Sequence, residues 1–500
     1  MVTYPLASLG RCVRRIAVCA TVAVSLFGGD LRADVLIRWD QNQIPSPASL
    51  ALASVVVPAV NAVAVRSALG QGYRVYLEVE GAAALRLAGG VEGIAGVVVR
   101  GDASPKQLAL LKRRLPARAR IITLDERGKW PHIRTNWVTR NNDVLQVSGR
   151  SAQPWIENNA ALLRIAQAAA SPTSAKAFAG GRTVPWISYP WQPITLAEID
   201  DGPQIENYLV AIAEAGLFGG DLLLPLHPRF QQDLLLGLPQ ARAGWDRIRR
   251  HIEFYSWNLP GRYRPITNIG VLAADPMSGF EILNLLSRHN LPFELIALSG
   301  VSPSSLGAFD LVLALDPPPA AHLDVLAAFA ASGGTVVIAA TGSTPAPEVS
   351  ARPSASAEPP ARPWGALPPV LRTDERVSYQ VGAGRVVEVL RGIADPNLFA
   401  FEIRQLLGPE HRVLDIWNGI TVIAAPYRDP DGRSVLVSVL NYSHQPLPVQ
   451  LRIAGTFSLV QYESPEEPPA LLPYQHRDGY TEVVLPALSI GGRLFLNQRP

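Results

Sequence analysis

The sequence predicts an α/β protein in three parts: an N-terminal (β/α)8 TIM barrel, a parallel-sheet α/β unit, and a C-terminal antiparallel β-sandwich. Three observations predict it. Eight apolar runs alternate with helical stretches between residues 34 and 260, a shorter strand–helix alternation begins near Pro265, and residues 413–500 change to short strands separated by turn residues. A chain of 500 residues also exceeds one ordinary domain, since roughly 150 residues per domain suggests about three.

Before the barrel, residues 1–33 read as a secretory signal. Arg11, Arg14 and Arg15 form a basic start, Ile16–Phe27 is apolar, and Leu31-Arg32-Ala33 ends on a small residue. The run is short for a membrane span, which needs about 20 apolar residues, so the expectation is a secreted or periplasmic protein with no stable span after cleavage; a short anchor is the alternative. The only cysteines, Cys12 and Cys19, lie in this segment. The mature chain therefore lacks a disulfide framework, a thiolate metal site and a cysteine nucleophile. Residues 1–33 also carry a net charge of +3, which is the whole formal charge of the chain. A neutral body gives no electrostatic ground for binding nucleic acid.

The predicted barrel spans residues 34–262. Its strands are Val35–Trp39, Ser54–Val57, Arg74–Val79, Gly96–Arg100, Arg120–Leu124, Val144–Ser148, Val184–Tyr189 and Asp221–Leu226. Amphipathic or Ala-rich stretches separate them: Asn61–Gly70, Pro105–Leu115, Gln153–Ala170, Gln204–Ala215 and Phe230–Trp257. Eight β–α repeats in this length fit a closed ring better than an open doubly wound sheet.

The predicted α/β unit spans residues 263–412, with strands Thr267–Ala274, Phe293–Leu298, Asp310–Leu315, Thr335–Ala340 and Gly384–Leu390. Its helices are Ser278–His289, Ala321–Ser332 and Pro396–Leu407. Residues 343–370 interrupt it with a Ser/Pro/Ala-rich, low-complexity insertion. In residues 413–500, short strands such as Ser434–Leu440 and Val449–Ile453 alternate with turns, as in a sandwich.

This order of barrel, flavodoxin-like α/β domain and small sandwich resembles multidomain glycoside hydrolases, the family 42 β-galactosidase plan in particular. The stretches "TNIGVLAAD" to "TVVIAATG" look like the glutamine-amidotransferase-like domain of those enzymes. The tail "SVLVSVLNYSHQPLPVQLRI" looks like their terminal sandwich. The resemblance implies a catalytic Glu at the ends of strands four and seven. Here those ends read Val99-Arg100-Gly101-Asp102 and Ser188-Tyr189-Pro190-Trp191, so no catalytic residue carries over. Without cysteine the α/β unit has no amidotransferase nucleophile.

Candidate site residues come instead from the strand ends, where barrel enzymes work. Alternation turns Val75, Leu77 and Val79 toward the helices and Tyr76, Glu78 and Glu80 toward the axis. It likewise turns Ile122 and Leu124 outward, with Thr123 and Asp125 inward. Glycoside hydrolysis needs two carboxylates, and Glu78 or Glu80 with Asp125 or Glu126 are the candidates. The alternative is a polar layer in which these acids pair with Arg74, Arg100 or Arg127. The segment Asp125–Trp137 gathers Arg127, Trp130, Arg134, Asn136 and Trp137 in one loop. Indole rings stack on sugar faces and Arg or Asn bond the hydroxyl rim, unless the two Trp merely plug the barrel. Trp39, Asp40, Tyr189, Trp191 and His227 stand at other strand ends as candidate substrate contacts. No metal-ligand spacing, G-x-G-x-x-G or Walker pattern occurs, so neither a metal nor another cofactor is expected.

The expected function is an exported glycoside hydrolase-like protein with a carbohydrate ligand. Its rivals are a non-catalytic carbohydrate-binding or envelope protein on a degenerate barrel, and a scaffold; the sequence is compatible with a homo-oligomer.

Overall fold

The computed structural model describes residues 35–81, 93–101, 103–124, 133–134, 138, 140–141, 144–145, 156, 158–170, 186–193, 195–256, 263–339 and 362–498. Among the described residues seven strands build the barrel: β1 (Val35–Arg38), β2 (Ser54–Pro58), β3 (Arg74–Glu80), β4 (Gly96–Arg100), β5 (Arg120–Thr123), β6 (Trp186–Ser188) and β7 (Asp221–Pro225). They lie in the order β5-β4-β3-β2-β1-β7-β6, every pair parallel, and a parallel bridge from Leu124 to Trp186 joins the two end strands. At the bottom of that join, the Arg120 guanidinium lies 5.4 Å from the Trp186 ring and 4.0 Å from Asp221.

The sixth expected strand is not in this ring. Val144–Leu145 pairs antiparallel with Arg140–Asn141 instead.

Side chains alternate around the ring with the period of two that strands impose. Leu36, Val56, Tyr76, Val98, Ile122, Leu124 and Leu223 form one interior cluster. Ile37, Val55, Val75, Leu77, Val79, Val97 and Val99 pack outward with the helices. This matches the expectation for β3 and reverses it for β5. Ile121 and Ile122 are both apolar, so composition does not tell which faces the axis; the pairing of Val98 with Ile122 fixes it. Gly96 makes room for the interior Tyr76, because a Cβ there would stand 2.8 Å from the Tyr76 ring and 2.2 Å from the Arg120 carbonyl.

Helices α1 (Ala62–Gly70), α2 (Pro105–Arg114), α3 (Ala160–Ala170), α4 (Ile205–Leu217), α5 (Pro228–Leu235) and α6 (Pro239–Tyr255) accompany the barrel. α4 is buried from Asn207 to Leu217, as its apolar character on all faces requires. Barrel residues on one side and Ile423, Tyr427, Leu436 and Leu440 of the sandwich on the other belong to the same core.

The α/β unit contains β8 (Ile269–Leu272), α7 (Phe280–Arg288), β9 (Phe293–Ile296), β10 (Leu311–Ala314), α8 (Ala320–Ala331), β11 (Thr335–Ile338), β12 (Arg376–Val381), β13 (Gly384–Val389) and α9 (Pro396–Leu407). Five parallel strands run β9-β8-β10-β11-β13, the flavodoxin order. β12 then adds an antiparallel strand through a hairpin with β13, and Leu371–Arg372 pairs antiparallel outside it. Most of the low-complexity insertion lies outside the described residues. Its end is anchored: Trp364 is buried and donates to Glu388 Oε1 at 2.7 Å, and Arg362 pairs with the other oxygen.

The sandwich comprises β14 (Leu414–Trp417), β15 (Val422–Arg428), β16 (Ser434–Asn441), β17 (Leu447–Ala454), β18 (Leu459–Glu463), β19 (Tyr480–Leu488) and β20 (Gly491–Asn497), in two antiparallel sheets. Arg264–Pro265 pairs with β15, so the chain touches the sandwich before it builds the α/β unit. Among the described residues no helix is long and apolar enough to cross a membrane.

Candidate functional site

The strand ends of the barrel bring charged side chains into a row. Arg38 follows Leu36 on the inward face of β1, and Asp40 follows Arg38 just past the strand. Glu78 follows Tyr76 on β3, and Arg100 follows Val98 on β4. Both oxygens of Glu78 are taken: Arg38 Nε donates to Oε2 at 2.5 Å and Arg100 Nη1 to Oε1 at 3.1 Å. Arg38 Nη1 also donates to Asp40 Oδ2 at 2.6 Å. One guanidinium therefore bridges two carboxyl groups that are 38 positions apart in the chain.

The two carboxyls differ in surroundings. Glu78 is 8 % exposed and lies between two cations. Asp40 is half-buried, and its carboxyl is raised above the ordinary carboxylate range. Burial is the largest cause, Arg38 opposes it, and the nearby Glu78 charge adds to it. Glu80 is exposed at the end of β3, in register with Arg100.

Three expected substrate contacts do not face the opening. Trp39 is 1 % exposed, packs with the helices, and gives its indole N–H to the Gln43 carbonyl at 2.7 Å. The alternation that turns Arg38 and Asp40 inward turns Trp39 outward. Tyr189 is fully buried and donates to Glu214 Oε2 at 2.8 Å. His227 caps α5: Nδ1 accepts from the Arg229 amide at 3.4 Å, and Nε2 donates to the Ile199 carbonyl at 3.0 Å.

Of the remaining expected contacts, Trp191 stands opposite Ile133 and Arg134 opposite Gln192, so their side chains leave this short pair on opposite faces. Trp191–Gln192 pairs in parallel with Ile133–Arg134, and Trp191 donates its indole N–H to the Glu198 carbonyl at 3.2 Å. Both side chains are half-buried. Asp125, Glu126, Arg127, Trp130, Asn136 and Trp137 lie outside the described residues. Among the described residues no group of three or more His, Cys, Asp or Glu could hold a metal ion.

The residue most easily missed in the sequence is Glu214, on α4. It is fully buried, and four donors converge on it. The only signal was one acid inside the apolar run Leu209–Leu217. Arg38 had a clearer signal, sharing the inward parity of Leu36.

No protein-family model matches the chain, and no curated protein sequence does. Solved structures do. α-L-Fucosidase isoenzyme 2 from Paenibacillus thiaminolyticus superposes over 94 % of this chain and 100 % of its own length, with a TM-score of 0.53 at 9 % identity. The chain shares its overall fold with that enzyme. An exo-β-1,4-mannosidase from Opitutaceae bacterium strain TAV5 covers 75 % of this chain and 94 % of its own (TM-score 0.43, 12 % identity). A catalytic mutant of a family 42 β-galactosidase from G. stearothermophilus covers 88 % and 66 % (TM-score 0.41, 10 % identity). At those lower scores the likeness carries no further weight. The strand ends that hold Arg100-Gly101 and Ser188-Tyr189 have no Glu.

Proposed function

We propose that the protein is an exported glycosidase that cleaves an O-glycosidic bond of an oligo- or polysaccharide, with Asp40 and Glu78 as its two carboxyl groups. The observation that carries this is the Arg38 bridge. It places next to each other an acid whose carboxyl is raised and a carboxylate held between two guanidinium groups. Acid-assisted glycoside cleavage needs two carboxyl groups in different surroundings, one of them raised so that it can donate a proton. Asp40, the more exposed, would protonate the leaving oxygen. Glu78 keeps a free lone pair on each oxygen and would face the developing positive charge at the sugar carbon. Glu80 remains an alternative partner for Glu78; the inward facing of Leu124 removes the ground on which Asp125 was expected to face the axis. Trp191, half-buried just beyond β6, would lay its indole against the sugar face. Export rests on the basic and apolar character of residues 1–33.

A second reading, a saccharide-binding protein without catalysis, is favoured by one observation: both Glu78 oxygens are already committed to arginines.

The test is release of reducing ends from a panel of plant, algal and bacterial glycans by the full chain, with Asp40→Asn and Glu78→Gln alongside. Affinity electrophoresis on the same glycans reports binding. Release abolished in both variants supports hydrolysis. Binding without release, undiminished in the variants, supports the second reading. Neither binding nor release overturns both.

A further inference from the structure

We infer that Gln231, on α5, is a positioning residue that fixes Asp40 in the charged row; the inference rests on the proposed role of Asp40. Gln231 is 0 % exposed. Its Oε1 accepts from the Asp40 amide at 2.8 Å and from the Gln41 amide at 3.2 Å. Its Nε2 donates to the Leu226 carbonyl at 2.6 Å. This is the one orientation of the carboxamide that meets two N–H donors and one carbonyl.

The placement explains why the amide is needed. The ladder between β1 and β7 ends at Arg38 opposite Pro225. Beyond it, the backbones at Asp40 and Leu226 have no partner in each other, and the Gln231 side chain fills the place of the missing peptide unit. On the other flank Asn61 does the same, donating from Nδ2 to the Asp40 carbonyl at 3.0 Å while its Oδ1 caps α1 at Ala64. Asp40 is thus held at its N–H by a side chain from α5 and at its C=O by the residue that caps α1.

α5 would pack with an aliphatic residue at this position, as it does at Leu234. A buried amide is costly unless every polar atom is bonded, and here all are. What the bonds secure is the direction of the residue after the strand, and hence the Asp40 carboxyl against Arg38. Catalytic geometry tolerates little displacement, and a shift of about 1 Å can cost roughly 100-fold in rate.

The experiment compares Gln231→Met, which keeps the volume and loses the bonds, with Gln231→Glu, whose carboxyl, protonated against the Leu226 carbonyl, keeps both contacts. Hydrogen exchange of the peptide spanning residues 39–44 is measured together with kcat and KM on the glycan cleaved by the wild-type chain. The expected result for Gln231→Met is faster exchange there, with kcat lower by about 10- to 100-fold and KM little changed. Gln231→Glu recovers protection and most of kcat. If Gln231→Met exchanges as the wild type does and keeps its kcat, the inference is overturned while the role of Asp40 stands. If the wild type cleaves nothing, the role of Asp40 falls, and the exchange rates alone decide whether Gln231 holds the segment. A thermal melt of each variant excludes global unfolding as the cause.

Discussion

Tyr442, just past β16 of the sandwich, donates its hydroxyl to Glu214 Oε1 on α4 at 2.7 Å. The same carboxyl accepts from the Asn159 amide at 2.7 Å, the Asn159 side chain at 2.8 Å and Tyr189 at 2.8 Å. One side chain therefore ties the end of β6, the start of α3 and the sandwich to the buried helix. Tyr442→Phe is expected to lower the unfolding free energy by about 1–3 kcal/mol, the cost of leaving a buried hydrogen-bonding group without its partner. Glu214→Leu strands four buried donors and should cost at least ~3 kcal/mol. Urea unfolding of the full chain measures both. An unchanged midpoint in Tyr442→Phe would mean that this junction contributes no stability.

The pH dependence of that junction has a definite sign. Burial raises the Glu214 carboxyl above its ordinary value of 4.5, against the hydrogen bonds from Asn159, Tyr442 and Tyr189. With the folded value raised, its contribution is fully present below the unfolded value and is lost as pH rises through the folded value. Glu214→Gln does not titrate. The stability of the wild type relative to Glu214→Gln should therefore fall as pH rises above about 4.5, as followed by urea midpoints from acid to neutral pH. A difference that is flat with pH would contradict the raised carboxyl.

How far the sequence discloses this structure depends on how local each determinant is. Strand positions in β1–β5 follow from apolar runs and turn residues, and the inward set Tyr76–Glu78 from alternation. β5 was ambiguous because Ile121 and Ile122 are adjacent and alike, and only pairing with β4 decides their faces. The Arg38–Asp40 step was legible by the parity that reads β3. The Glu214 site was not: its partner Tyr442 is 228 residues away, and no local pattern encodes that meeting. Tyr189 was misplaced for the same reason, since a strand-end tyrosine looks alike whether it faces a cleft or a buried carboxylate.

His227 illustrates a strand-end residue whose work is local. Both ring nitrogens are used, and Gly202 packs against the ring: a Cβ on Gly202 would stand 2.4 Å from His227 Cγ, at a φ of +75°. Gly202→Ala combines this clash with a left-handed backbone and should destabilise by about 1–3 kcal/mol. His227→Ala removes the cap and should cost ~1 kcal/mol. Neither residue touches the charged row, so glycan cleavage per folded molecule should stay within about two-fold; a rate deficit without a stability deficit would return His227 to the site.

Arg38 should restrain the rise of the Asp40 carboxyl. Burial raises the Asp40 carboxyl, Arg38 and Arg100 pull it down, and Glu78 pushes it up. Arg38→Met removes one downward influence and leaves Glu78 unneutralised on that side, so the Asp40 carboxyl rises further. If Asp40 is the proton donor, its ionisation sets the alkaline limb of the pH–rate profile, and that limb should move to higher pH. At the same time Glu78 loses one of its two donors, and the rate at the optimum should fall by about 100-fold, as when a single preorganised donor is removed. Arg38→Lys keeps the charge but offers a point ammonium in place of a fork. It should leave the alkaline limb near that of the wild type and reduce the rate by less. Full pH–rate profiles of the three chains separate these effects: an alkaline limb that stays fixed in Arg38→Met would break the link between Arg38 and the proton on Asp40, whatever happens to the rate.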